Sequence, residues 1–504
     1  MAKGIMANSA LNAAAGLSLL ATGFACSIVA ARLLGPEASG AIAFSLWLVT
    51  TGALVAELGT GVTLLRLLPQ LAAQGYSPLQ RRGFAAFLVR PTILSTILLL
   101  VGYCLFFREA EDLHWIDSAP AVVAVTGVLF LFQSIGAYTK NYLIGEQDLT
   151  RFFRLTIVSS AIQLAVVTLG AIFFGVSGAL AGYVAGQLPM FLYTLRIAAA
   201  PKNACGISVG YLASSSLMLS FEYINSSIFL NRIELLFLQR FWGIEAVGFY
   251  AVGLTLANLA LQLPVQLSGS LLPYYSERIH SNAGGKLPVS VFEGVVRGIS
   301  YITLPMSFGL AAISEPLIVA VFGEPFRPAG GTVALLALTA TPYVFMQICT
   351  QYLYSVDRIR ERLMIGGFAS ALMVAGCFVL VPAYGGEGAA LVRLVAFSLM
   401  CLLMMRRMDL DGSMRGMFIN VLRVAAASAA CAAAAYLIVD HISGTTGLIL
   451  AIAFAVLVYV AALRLLNAVP KEDIIIMEQL SGRLPRLVHP LVLQALALLT
   501  PRRA

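Results

Sequence analysis

Residues 32–40 read RLLGPEASG, and residues 240–248 read RFWGIEAVG. Five of the nine positions are identical without a gap, at an offset of 208 residues. A second pair, GVSGA at 175–179 and GGEGA at 385–389, recurs at an offset of 210. Two short matches at nearly one offset indicate an internal duplication. Six apolar segments separate the copies, so both face the same way in a bilayer. The expected symmetry is a parallel repeat about an axis along the membrane normal, a plan that places a substrate site between two lobes.

The composition makes the bilayer the solvent. Of 504 residues, 60% are hydrophobic and only 11% are charged. A soluble domain carries roughly a quarter charged residues, so a soluble globular protein is excluded. A spanning helix needs ~20 apolar residues. About fourteen such segments are read here, including 209–239 and 295–322. The expected fold is an all-α polytopic membrane protein with two pseudo-symmetric six-helix lobes plus two C-terminal helices. The expected division is an N-lobe of helices 1–6 over 1–200 and a C-lobe of helices 7–12 over 201–408. Helices 13–14 follow over 409–467, and a cytoplasmic amphipathic tail over 468–504. The first 35 residues do not read as a removable signal, because their apolar stretch is too long.

The net charge of +8 reads as cytoplasmic loop charge rather than as a nucleic-acid surface. Loops after even-numbered helices hold most of the Lys and Arg, among them Arg81, Arg82, Lys202, Arg358 and Arg360. The opposite loops are poor in both, and the one around Glu109, Glu111 and Asp112 is acidic. Both termini are therefore expected in the cytoplasm. The seven cysteines form no C-x-x-C pair and read as small core residues.

No phosphate-binding G-x-x-x-x-G-K-[ST] occurs, and no H-E-x-x-H. No catalytic residue, metal site or cofactor is expected. A membrane polysaccharide polymerase or ligase is the alternative of another class. It would need an external acid–base cluster, and the external loop at 108–118 is too short to build one.

Charges inside spans are costly and usually face protein or water. Arg66, Arg90, Lys140, Asn225, Arg232, Arg297 and Arg393 are the candidate substrate-binding residues, supplying a positive cavity for an anionic head group. Static ion pairs between helices are the competing reading. Glu222, Asn225 and Arg232 stand at i, i+3 and i+10, within about 80° of one face on a ~3.6-residue period. Glu222 is the candidate ion-coupling residue, with H⁺ or Na⁺ as the coupling ion; a static pair with a nearby Arg is the alternative.

Four stretches carry a family resemblance: LLGPEASG at 33–40, AELGTG at 56–61 with Arg66 and Pro69 following, RFWGIEAVGFY at 240–250, and EPLIVAVFGEPFRPAG at 315–330. They resemble the polysaccharide transporter family, a branch of the multidrug/oligosaccharidyl-lipid/polysaccharide superfamily with the MATE-like fold. The resemblance covers about residues 5–480. It implies a flippase, not an enzyme, that carries undecaprenyl-diphosphate-linked oligosaccharide across the bacterial inner membrane by alternating access. The product would serve O-antigen or exopolysaccharide biosynthesis. The implied partners are membrane lipid, the lipid-linked substrate and polysaccharide assembly proteins. The resemblance also marks Glu57 as a family feature, with Arg66 as its expected partner. Within the same fold, a lipid II flippase or a cation-coupled drug antiporter is the alternative. Residues 5–31 contain no acid, which departs from the drug-exporting branch and its acidic first helix.

Overall fold

The computed structural model describes residues 2–109, 119–268, 271–282, 286–442, 444–470 and residue 473. The chain divides into two compact units, Met1–Ala251 and Val252–Ala504. The first contains α1 (Ala2–Glu57), α2 (Thr60–Ala73), α3 (Pro78–Glu109), α4 (Ala119–Gly145), α5 (Leu149–Ala198), α6 (Val209–Ile224) and the first half of α7 (Glu234–Ser268). The second holds the rest of α7, then α8 (Leu271–Ser281), α9 (Val289–Ala312), α10 (Ser314–Phe322), α11 (Gly330–Leu338) and α12 (Ala340–Ser355). It ends with α13 (Ile359–Arg406), α14 (Arg415–His441) and α15 (Gly444–Leu465).

Ten segments among the described residues are long and apolar enough to cross a membrane. Three helices are too long to be single spans: α1 has 56 residues, α5 has 50 and α13 has 48. At ~1.5 Å per residue each would exceed twice the ~30 Å hydrocarbon core. Each is broken at one glycine. Gly35 interrupts α1 with φ 82° and ψ −175°, and Gly243 interrupts α7 with φ 81° and ψ −174°. Gly175 in α5 has φ 61° and ψ −136°, and Gly385 in α13 has φ 51° and ψ −129°. These conformations are open to glycine without a Cβ penalty. They fall on the two repeated motifs, so the duplication is written in the backbone as well as in the sequence. Divided at these four glycines, the ten segments become fourteen spans.

The α5 break folds the chain into an antiparallel hairpin closed by small residues. Gly178, Gly182 and Gly186, one turn apart, meet Gly170, Val167 and Gln163 in reverse order. A Cβ at Gly182 would lie 2.6 Å from Val167 Cα, and one at Gly186 would lie 2.7 Å from Gln163 Cβ. In lipid, where tails are as apolar as leucine, such backbone approach is a main source of helix association. Gly376 and Gly388 meet Val392 and Leu380 in the same way within α13.

The two copies of the first motif also touch each other inside the first unit. A Cβ at Gly40 would overlap Ile244 O and lie 2.9 Å from Gly248 N. A Cβ at Gly248 would overlap Pro36 O and lie 3.0 Å from Gly40 N. Ile244 and Gly248 stand 208 residues after Pro36 and Gly40. The contact reads the same in both directions, as a local two-fold axis requires.

In the second unit, α14 and α15 pack on α9 and α10. Tyr301 and Leu304 meet Val424, Ala427 and Leu463, while Ile313 meets Cys431 and Ala451. The expected single span over 295–322 is interrupted at Ile313, where α9 gives way to α10. Outside the packed faces, Phe173, Phe174, Leu422 and Leu465 are at least 70% exposed, which suits a lipid boundary rather than water. The acidic loop at 110–118 and the tail at 474–504 lie outside the described residues.

Candidate functional site

The AELGTG stretch breaks the second span. α1 ends at Glu57, Leu58 and Gly59 take φ 50° and 70°, and α2 begins at Thr60. Non-helical backbone at membrane depth persists only where protein or a water-filled cavity satisfies it. The freed carbonyls here are answered by hydroxyls. Ser95 donates to Ala56 O, and Thr60 Oγ1 donates to Glu57 O at 2.8 Å. Thr60 and Thr92 share a 2.7 Å hydroxyl contact.

The turn presses against α6. A Cβ at Gly59 would overlap Ser216 O and lie 2.9 Å from Ser220 N. Thr63 and Ser216 share a 2.7 Å hydroxyl contact, and Arg66 Nη2 donates to Tyr211 OH at 2.7 Å. The expected Glu57–Arg66 pair is not formed, because Arg66 lies two turns further along and turns to Tyr211. Glu57 instead accepts from Asn141 Nδ2 at 2.8 Å on α4. The adjacent Lys140 acts on it electrostatically without closing a salt bridge. Gly61 leaves the room this pair needs, since any Cβ there would overlap Glu57 Oε1.

The seventh span is broken as well. α6 stops at Ile224, Asn225–Phe229 forms a wide π turn, and α-helix resumes at Glu234. The physical cause is local competition for the backbone by polar side chains. Asn231 Nδ2 takes Ser226 O at 2.7 Å, and Leu230 N reaches back to Asn225 O at 3.3 Å. The ~3.6-residue period on which Glu222, Asn225 and Arg232 are expected to share one inward face is therefore interrupted between Asn225 and Arg232. Arg232 is exposed within the break, Asn225 is half-buried, and the Glu222 side chain lies outside the described residues. Below the break, Glu234 is fully buried and accepts from Tyr250 OH at 3.2 Å.

The first unit thus gathers Lys140 with the Glu57–Asn141 pair and brings Arg66 to α6. Arg90, exposed on α3, stands two residues before Thr92 and has no hydrogen-bond or ion-pair partner among the described residues. The second unit treats its two arginines differently. Arg393 is buried with its guanidinium 5.1 Å from the Phe397 ring. Arg297 commits all three nitrogens to carboxylates: Nε and Nη2 to Asp473 at 2.5 and 2.6 Å, and Nη1 to Glu293 at 3.4 Å. Tyr301 OH adds a 2.8 Å bond to Asp473, and Asn420 donates to Glu293 at 2.7 Å. This network uses three of the five guanidinium N–H donors and ties Arg297 to the residue that follows the last helix.

A cavity of about 540 Å³ in the first unit is lined by Phe44, Trp47, Tyr103, Phe106 and Phe130, with Gln239 at its edge. A second, of about 710 Å³ in the second unit, is lined by Glu315, Glu324, Arg327, Tyr436 and Asp440. None of the expected site residues lines either. Sequence reasoning missed Asn141, Tyr211, Ser216 and Asp473. An amide directly after Lys140 in an apolar helix was the available signal for the first.

Fold and sequence together define a multi-pass membrane protein built from a duplicated helical bundle. Residues 29–330 match the family described as Polysaccharide biosynthesis protein. The chain belongs to that family, as the four quoted motifs imply. It is 21% identical over 327 residues to the succinoglycan biosynthesis transport protein ExoT of Rhizobium meliloti (strain 1021). That match spans 62% of this chain and 61% of the relative's length. Among solved structures, the lipid II flippase MurJ in an inward closed conformation superposes with a TM-score of 0.70 at 15% identity, covering 90% of this chain and 97% of that one. An inward-facing multidrug resistance MATE family transporter of the MOP superfamily follows with a TM-score of 0.58 at 14% identity, covering 76% and 92%. At these identities the likeness is one of fold.

Proposed function

We propose that the protein is a flippase for a lipid-linked oligosaccharide of polysaccharide assembly, undecaprenyl-diphosphate-linked, working by alternating access. The observation that carries this is the set of exposed cations on the apolar helices around the break of the second span: Arg66, Arg90 and Lys140. Cations there are costly unless water or an anion meets them. A diphosphate-sugar head is such an anion, and its polyprenyl tail can remain in lipid. Family membership favours a glycan substrate, and the ExoT relative is named for transport in succinoglycan biosynthesis. The Lys and Arg bias favours an inner-membrane orientation with both termini cytoplasmic.

Purified protein in proteoliposomes tests the substrate. Undecaprenyl-diphosphate-linked oligosaccharide should become accessible in the opposite leaflet, and lipid II should move more slowly. Equal movement of lipid II, or none of the oligosaccharide, overturns the assignment. Single-cysteine labelling tests orientation: positions 81 and 360 should be shielded from an external reagent in intact cells. Labelling at 81 would invert the topology.

A further inference from the structure

Glu57 is a carboxylate at the break of an apolar span whose surroundings fit a change of charge. Such a group is normally paired or faces a proton or ion path. It is half-buried, and its side chain accepts one hydrogen bond among the described residues, from the neutral Asn141 amide on Oε1. Oε2 has no hydrogen-bond partner among the described residues, and no salt bridge reaches the group. Full ionic pairing would fix its charge; a single amide and a nearby ammonium leave both protonation states accommodated.

The neighbours from each packed element bear this out. Helix α4 contributes Asn141, Lys140 and Tyr138, and Tyr138 is fully buried with its hydroxyl donating to Ala85 O at 2.9 Å. Helix α3 contributes the Thr92 and Ser95 hydroxyls, with Arg90 exposed two residues away. Helix α2 contributes Thr60, and its Arg66 is turned to Tyr211. Helix α6 contributes Ser216 and Ser220 at the turn, and its Glu222 side chain lies outside the described residues. Lys140 is the charged group that acts on the carboxylate.

We propose that Glu57 is a proton-loading site set at the break of the second span. A proton from water adds to Oε2 while Oε1 keeps Asn141, and it returns to water on unloading. Loading removes the attraction to Lys140 immediately before the Leu58–Gly59 turn that packs on Ser216 and Ser220. The site is therefore placed to convert a proton into movement of the second span against the seventh. That use in transport rests on the alternating-access reading; the loading itself does not.

The test needs no substrate. Full-length protein in lipid nanodiscs is compared by infrared difference spectroscopy between mildly alkaline and mildly acidic buffer. Wild type should gain a protonated-carboxyl C=O band on acidification. Glu57→Gln should lose that band, and Asn141→Ala should move its frequency by removing the hydrogen bond. Lys140→Met should raise the midpoint, because a nearby cation favours the carboxylate. Glu57→Asp should restore a displaced band, so the assignment survives if the glutamine variant folds poorly. Absence of any such band in wild type, or its full retention in Glu57→Gln, overturns the proposal. Neither result touches the glycan assignment, which the proteoliposome assay reads separately.

Discussion

Two buried polar clusters in this protein are built on opposite terms. Around Arg297 every strong group has its partner: two oxygens of Asp473, one of Glu293, and the Tyr301 and Asn420 donors. Around Glu57 the acid has one amide, an unclosed approach from Lys140, and a glycine where a side chain would crowd it. A saturated network resists change of charge or geometry, whereas a sparse one beside a strained turn allows it. The first cluster accordingly holds helices together, and the second is the one to which the proposed proton loading is assigned.

The largest expected effect lies in the saturated cluster. Arg297→Ala leaves Asp473 without its countercharge and Glu293 with the Asn420 amide alone, at a cost of ~3–5 kcal/mol, most of it at Asp473. Membrane abundance and the thermal midpoint of purified protein should both fall. Arg297→Met with Asp473→Leu should recover most of that loss, since a well-packed apolar pair can replace a buried ion pair. Failure of the double variant to recover would break the contrast by making the pair something other than structural.

Gly59→Ala comes next. It combines a left-handed φ with overlap on Ser216 O, for a loss of about 2–3 kcal/mol from strain and overpacking. A denaturation midpoint within error of wild type would show that the turn does not pack as described. Smaller still is Gly61→Ala, where the new methyl meets a carboxylate and an amide that can swing away. Stability should drop by about 1 kcal/mol, the worth of the Glu57–Asn141 bond, while transport should fall far more. Equal losses in both would erase the distinction between the clusters. Tyr211→Phe removes one exposed bond to Arg66 and should cost well under ~1 kcal/mol. Its expected signature is weaker substrate affinity in proteoliposomes at normal abundance.

The sequence disclosed the architecture because duplication leaves identities where the backbone is least tolerant. Gly35 and Gly243, and Gly175 and Gly385, are matched positions because each must hold a positive φ. The repeat followed from that, and the span count from the apolar segments. The sites were less legible, for reasons that differ residue by residue. Arg297 reads as a cavity cation because its partner stands 176 residues away in sequence, beyond the last span. Glu57 reads as a partner of Arg66 because the resemblance links the two, whereas Arg66 turns to Tyr211 on α6. Asn225 and Arg232 read as sharing one face because a helical period is carried through a break, although the Asn-Ser-Ser and Asn231 side chains that compete for the backbone are visible in the sequence. Periodicity locates helices; it does not reveal where polar side chains divert the ladder.

One measurement bears most directly on the contrast between the clusters. Flipping of undecaprenyl-diphosphate-linked oligosaccharide is followed in proteoliposomes and normalised to inserted protein for wild type, Glu57→Gln, and Arg297→Met with Asp473→Leu. Glu57→Gln should insert normally and lose at least about tenfold in rate. The paired apolar variant should flip at close to the wild-type rate per inserted molecule. Near-normal flipping by Glu57→Gln together with a dead but well-folded double variant would reverse the roles assigned to the two clusters.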